Sequence, residues 1–180
     1  MRICRNGLLS GGALLVISLV TSGAAQTQQA VKKPTAPAAA GAMMMAPGSE
    51  KWGELPAAAM VGTPSIDLGG TLRIAVIQGD PTVAGRPYTA RLSCTNGTRI
   101  APHWHPTTEN LTVIQGTFAL GMGSKWDPAA LKDLPPGGFA SAPAKMRHFA
   151  QCKSEAILQV HGIGPLVINF VSAEPTQKAK

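Results

Sequence analysis

A chain of 180 residues with 16 basic and 9 acidic side chains has room for one ordinary domain and its tails, and not for two. Its net charge of +7 is spread over scattered residues, with no basic run interleaved with aromatics, which argues against binding to nucleic acid. No apolar run reaches the roughly 18 residues that suggest a membrane span.

The chain opens with Arg2 and Arg5, then an apolar run from Leu8 to Val20, then the small residues Ser22, Gly23, Ala24 and Ala25. Charged, apolar and small segments in that order read as a secretory signal peptide over residues 1–25, with an uncleaved anchor as the alternative. The expected mature protein is periplasmic or secreted, with no stable membrane insertion after processing. Its net charge falls from +7 to +5, because Arg2 and Arg5 leave and no acid does. Residues 26–50 are dominated by Ala, Pro, Gln, Lys and Met without periodicity, and are expected to form a disordered linker. The thioethers of Met43, Met44 and Met45 are soft ligands that suit Cu(I), but no His or Cys stands near them, so ordinary linker residues are the preferred reading.

From about Lys51 the texture changes to short apolar runs punctuated by Gly and Pro, and one domain is expected over residues 51–175, with 176–180 as a tail. Leu72, Ile74 and Val76 alternate with Arg73, Ala75 and Ile77, while Tyr88, Ala90, Leu92 and Cys94 alternate with Thr89, Arg91 and Ser93. A period of two marks half-buried strands. Turns are expected at Gly79-Asp80-Pro81, Asn96-Gly97, Gly116, Pro135 to Gly138, and Gly162. One short helix is expected after Asp127 as N-cap, with Pro128 in its first position, followed by Ala129, Ala130, Leu131 and Lys132. Many short strands at this spacing predict an all-β sandwich or closed barrel.

Three of the four histidines cluster with one acid: His103, His105 and Glu109 along one stretch, and His148 further on. Alternate strand residues share a face, so His103 and His105 can both point inward. Four more extended residues would carry Glu109 about 13 Å away, too far to share an ion whose ligands sit ~2.0–2.2 Å from it. The chain must therefore bend at Pro106, Thr107 and Thr108. Three imidazoles and a carboxylate suit one divalent ion such as Mn, Fe, Ni or Zn. On spacing alone, two strand histidines with an unrelated Glu are an equal alternative.

The stretch Gly97-x5-His103-x-His105-x3-Glu109-x6-Gly116 resembles the first cupin motif, and Gly137-x5-Pro143 with His148 five residues later resembles the second. Together they cover residues 97–152. The resemblance implies a single jelly-roll β-barrel with His103, His105, Glu109 and His148 as metal ligands. The segment from Ile100 to Gly164 is similar to small exported bacterial cupins. Two positions depart from the family pattern: Lys145 stands where a turn glycine is usual, and Cys152 where an asparagine is usual. A non-glycine residue at positive φ costs on the order of 1 kcal/mol. Homodimers are common in the family, so a dimer is expected by analogy.

Cys94 and Cys152 are both in register with inward residues, and in the family's jelly roll their strands approach each other. A disulfide and a pair of buried thiols both remain open. His161, in an apolar run, is either structural or a partner to the metal site, and Trp104 and Trp126 read as packing residues. Cupins with this ligand set include dioxygenases, decarboxylases, isomerases and manganese oxidoreductases. The resemblance thus implies a metal-dependent, oxygenase- or oxidoreductase-like enzyme acting on a small molecule in a small apolar pocket near Leu111, Val113, Phe118 and Leu120. The alternative is a non-catalytic protein that holds metal or a small ligand.

Overall fold

The computed structural model describes residues 42–65 and 67–171. The expected signal peptide, most of the linker and the C-terminal tail lie outside these residues. Residues 42–50 carry neither helix nor strand, and Glu50 forms an ion pair with Arg91. Among the described residues no helix is long and apolar enough to cross a membrane.

Among the described residues twelve strands follow in order: β1 (Gly53–Glu54), β2 (Met60–Val61), β3 (Leu72–Gln78), β4 (Pro87–Cys94), β5 (Arg99–Trp104), β6 (Glu109–Gln115), β7 (Phe118–Met122), β8 (Lys132–Leu134), β9 (Phe139–Ala142), β10 (His148–Cys152), β11 (Ala156–Ile163) and β12 (Ile168–Phe170). They form two six-stranded sheets, β1-β3-β4-β11-β6-β9 and β2-β12-β5-β10-β7-β8. From β4 onward the chain crosses repeatedly between the sheets, as a jelly roll requires. The expected barrel is not closed: no strand pairs into both sheets, so the fold is two facing sheets with open sides. One open side is crossed by residues 53–61, where β1 pairs with β3 of one sheet and β2 with β12 of the other.

The core lies between the sheets. Ile74, Leu92, Leu111 and Leu158 from one meet Ile100, Phe118, Leu120 and Ala150 from the other. Burying each such large side chain contributes on the order of 1.5–3 kcal/mol. β4 follows the expected alternation along its length, with Tyr88, Ala90, Leu92 and Cys94 buried. β3 does not. Val76, still paired with the buried Ala90, is 48 % exposed near the strand's end, and a register shift between Val76 and Gln78 adds a residue beyond it. The inserted residue breaks the period of two.

The helix expected after Asp127 is a single 3-10 turn, Pro128–Ala130, and Asp127 caps it by accepting from the Ala129 backbone N–H. Leu131 and Lys132 are extended instead, because Lys132 pairs with Leu120 in the β7–β8 ladder. A second such turn spans Ala57–Ala59. Lys145, in the turn before β10, does take a left-handed φ of 65°. That turn is held by the Lys145 N–H donating to the His105 carbonyl at 2.8 Å. On the outward face of β10, the fully buried Phe149 lies over Gly121 and against Trp126, with ring centroids 5.4 Å apart. A Cβ at Gly121 would sit 2.3 Å from the Phe149 ring.

Cys94 and Cys152 are joined by a disulfide that ties β4 of one sheet to β10 of the other. Closing a loop with a sequence separation of 58 contributes on the order of 4 kcal/mol in the chain-entropy picture. Replacing both cysteines with Ala is expected to lower unfolding stability by roughly 2–4 kcal/mol, measured by urea denaturation. In that variant, stability should no longer respond to dithiothreitol; a response equal to wild type would show that the bond contributes nothing.

Candidate metal centre

The four residues singled out in the sequence converge at one end of the space between the sheets. His103 lies on β5 and His105 just past its end, Glu109 opens β6, and His148 opens β10 directly opposite His103. The bend between His105 and Glu109 falls at Pro106 to Thr108, as the distance argument requires, and carries the chain from one sheet to the other. A β-bulge makes the arrangement compatible with the core. Three residues of β10, from His148 to Ala150, oppose four of β5, from His103 to Ile100. The extra residue lets Ile100 and His103 line the same cavity although an odd number of positions separates them.

All four side chains are buried, between 2 % and 8 % exposed. Each histidine is oriented by a backbone carbonyl: His103 Nδ1 with Ala101 O at 2.8 Å, His105 Nδ1 with Val167 O at 2.8 Å, and His148 Nδ1 with Met146 O at 3.0 Å. A carbonyl only accepts, so each Nδ1 carries the proton and each neutral ring turns an Nε2 lone pair inward. Such a carbonyl contact is the usual device for fixing the tautomer of a metal-binding histidine. The three rings pack with centroids 4.2–5.3 Å apart, and their ligand atoms lie within 4.8 Å of one another. Three buried histidines placed in this way can hold a metal ion.

Glu109 Oε2 lies 3.4 Å from His105 Nε2 and 3.7 Å from His148 Nε2. Neighbouring ligands of an ion with ~2.1 Å bonds are separated by roughly 3.0–3.5 Å, so the carboxylate meets that spacing to His105 and stands slightly wider from His148, while the ligand atoms gathered within 4.8 Å of one another are those of the three histidines. His105 Nε2 is a buried polar atom without a hydrogen-bond partner. Such an atom costs about 1–3 kcal/mol unless something satisfies it, and a cation at the centre of the cluster would do so. The donor set thus fits a divalent ion.

The electrostatics agree with this fit. Burial pushes His103 down to about 3, helped by His148 and His105, so the ring stays neutral. Burial alone would lower His105, but the neighbouring Glu109 carboxylate outweighs it and raises the ring. Burial alone would raise Glu109, yet His105 and His148 more than offset it and hold the carboxyl well below its ordinary range. Tyr88 was foreseen only as an inward residue of β4. Burial, and then Glu109, push its phenol up, so it stays protonated near the cluster. Neither Tyr88 nor the three orienting carbonyls carry a sequence signal; strand pairing alone brings them here.

The cavity beneath the cluster is small, about 30 Å³, and mostly apolar. Of the residues expected around it, Leu111, Phe118 and Leu120 line it, whereas Val113 lies in the core outside its lining. Leu55, from the segment crossing the open side, lines it as well. His161 sits exposed on β11 and takes no part in the cluster.

No family model matches the sequence, and no curated protein does. Solved structures do match. A cupin superfamily protein from Desulfitobacterium hafniense DCB-2 shares 13 % identity, covering 52 % of this chain and 78 % of its own, at a TM-score of 0.44. An RmlC-like cupin from Shewanella frigidimarina NCIMB 400 shares 17 %, covering 57 % and 83 %, at 0.43. A candidate acetylacetone dioxygenase from Methylibium petroleiphilum PM1 shares 20 %, covering 73 % and 80 %, at 0.48. Both motifs are folded onto the facing sheets, and their four side chains meet at one end of the space between them.

Proposed function

We propose that this protein is an exported metal-binding cupin that acts as a metal-dependent enzyme on a small molecule, with His103, His105, Glu109 and His148 as ligands. The observation that carries the reading is the set of three carbonyl-oriented imidazoles whose Nε2 atoms face one point beside Glu109, with His105 Nε2 unsatisfied. Mn, Fe, Ni and Zn all suit that donor set. A divalent ion held there supplies a Lewis-acid centre with coordination positions left for a small oxygen-bearing molecule. The protein's part is to aim three rings through backbone carbonyls, to keep His103 neutral, to hold the carboxylate charged, and to surround the site with an apolar lining. The Cys94–Cys152 disulfide supports export, since such bonds persist in oxidising compartments.

A second reading is a protein that holds the ion without turning over a substrate. The small cavity favours it: about 30 Å³ holds a water or a diatomic gas, not a carboxylic acid. The readings separate when the spectrum of the Mn- or Fe-loaded protein is followed on adding small organic acids or oxygen. A response supports the enzyme, and a spectrum that stays inert supports the holding role.

His105→Ala is expected to lower metal content by more than the ~10–100-fold that follows loss of a ligand's orienting partner. Elemental analysis after purification without chelator or nickel resin checks this, and circular dichroism should show the strands unchanged. Unaltered metal content would remove His105 from the ligand set. Affinity should also fall on acidification. A ring must be neutral to bind, and Glu109 raises His105, so its proton competes first while His103 stays neutral down to about 3. Below the raised value for His105, each unit of pH should weaken binding about tenfold, measured by competition with a chelator. A flat profile between pH 8 and pH 5 would contradict this.

A further inference from the structure

Beside the metal-centre cavity lies a larger one of about 380 Å³. It sits between the edge strand region of β3 and the β5–β12 pair, on the open side crossed by residues 53–61. Leu55, Leu72, Ile100 and Ile168 line both cavities and form the wall between them, while Leu68 and Phe170 complete an apolar interior. Its volume falls within the roughly 300–1,000 Å³ of small-molecule sites. The charged lining is unequal: Arg73 and Arg99 against the single acid Glu54.

The two arginines differ in how far they are committed. Arg73 Nη2 donates to the Trp52 carbonyl at 2.9 Å. The Arg99 guanidinium packs over Gly69, where an added Cβ would lie 3.3 Å from Nη2, and it has no hydrogen-bond or ion-pair partner among the described residues. Its backbone is held in place, since the Arg99 N–H donates to the Leu68 carbonyl at 2.7 Å. A half-buried guanidinium offers a planar fork that matches a carboxylate. An apolar chamber with Arg99 and Arg73 in its lining suits an amphipathic anion.

We propose that this side chamber binds a small monocarboxylate with an apolar body, its carboxylate held by Arg99 with help from Arg73. The inference goes beyond the metal reading and does not depend on it.

The test uses hexanoate and its neutral counterpart hexanol, titrated calorimetrically into the full-length protein. Hexanoate is expected to bind one-to-one, and Arg99→Gln to weaken it roughly tenfold or more. Hexanol should bind more weakly and be indifferent to that substitution. Met60→Trp, at a chamber position 39 % exposed, should fill the space and weaken both ligands. Chelator-stripped protein and the His105→Ala variant should bind hexanoate as the untreated protein does. Loss of binding in either would place the carboxylate at the metal centre and overturn the proposal. So would equal affinity for hexanoate and hexanol, a comparison on the wild type that holds whether or not Arg99→Gln folds. Absence of metal from the protein bears on the metal reading alone.

Discussion

Four ionisable side chains buried at one end of an otherwise apolar interior form the constraint on which the rest of this structure depends. Unpartnered polar groups in such surroundings are costly, and the strands are placed so that few remain so. Three backbone carbonyls take the three Nδ1 protons, and Glu109 is held as a carboxylate by the imidazoles around it. Those carbonyls come from three places in the chain: β5 itself, the turn into β10, and the approach to β12. Orientation of the histidines is therefore a property of the assembled sheets, and no single strand could supply it.

The same constraint explains two irregularities. The bulge in β5 exists where an apolar Ile100 and a polar His103 must both face the interior at an odd spacing. The left-handed turn at Lys145 delivers its N–H to the His105 carbonyl, tying the turn before His148 to the residue it must face. Lysine there pays a conformational cost that glycine would avoid, and the hydrogen bond offsets some of it.

What could be read from the sequence divides along physical lines. The inward face of β4, the bend at Pro106 and the meeting of His103, His105, Glu109 and His148 followed from local periodicity, chain reach and the two motifs. The Asp127 cap was also legible, although pairing of Lys132 with Leu120 cut the helix to one turn. Bulges were not legible, because one added residue reverses every later side chain without changing composition, as at the end of β3 past Val76. Nor were β1 and β2, whose two residues each are too short for any period. The open side of the sheets, the larger cavity and the wall at Leu55 depend on those two short strands, so they too emerged only from the fold.

The contact between Gly121 and Phe149 bears on how this sequence can change over time. Strand β7 approaches the ring so closely that position 121 has no room for a side chain while position 149 is aromatic. The two sites are neighbours across one ladder and must vary together: a side chain gained at 121 requires a smaller residue at 149 first. His148 is covalently next to Phe149 and faces the opposite side of the same strand. Drift in the packing of the outer face is thereby coupled to the position of a side chain in the interior cluster.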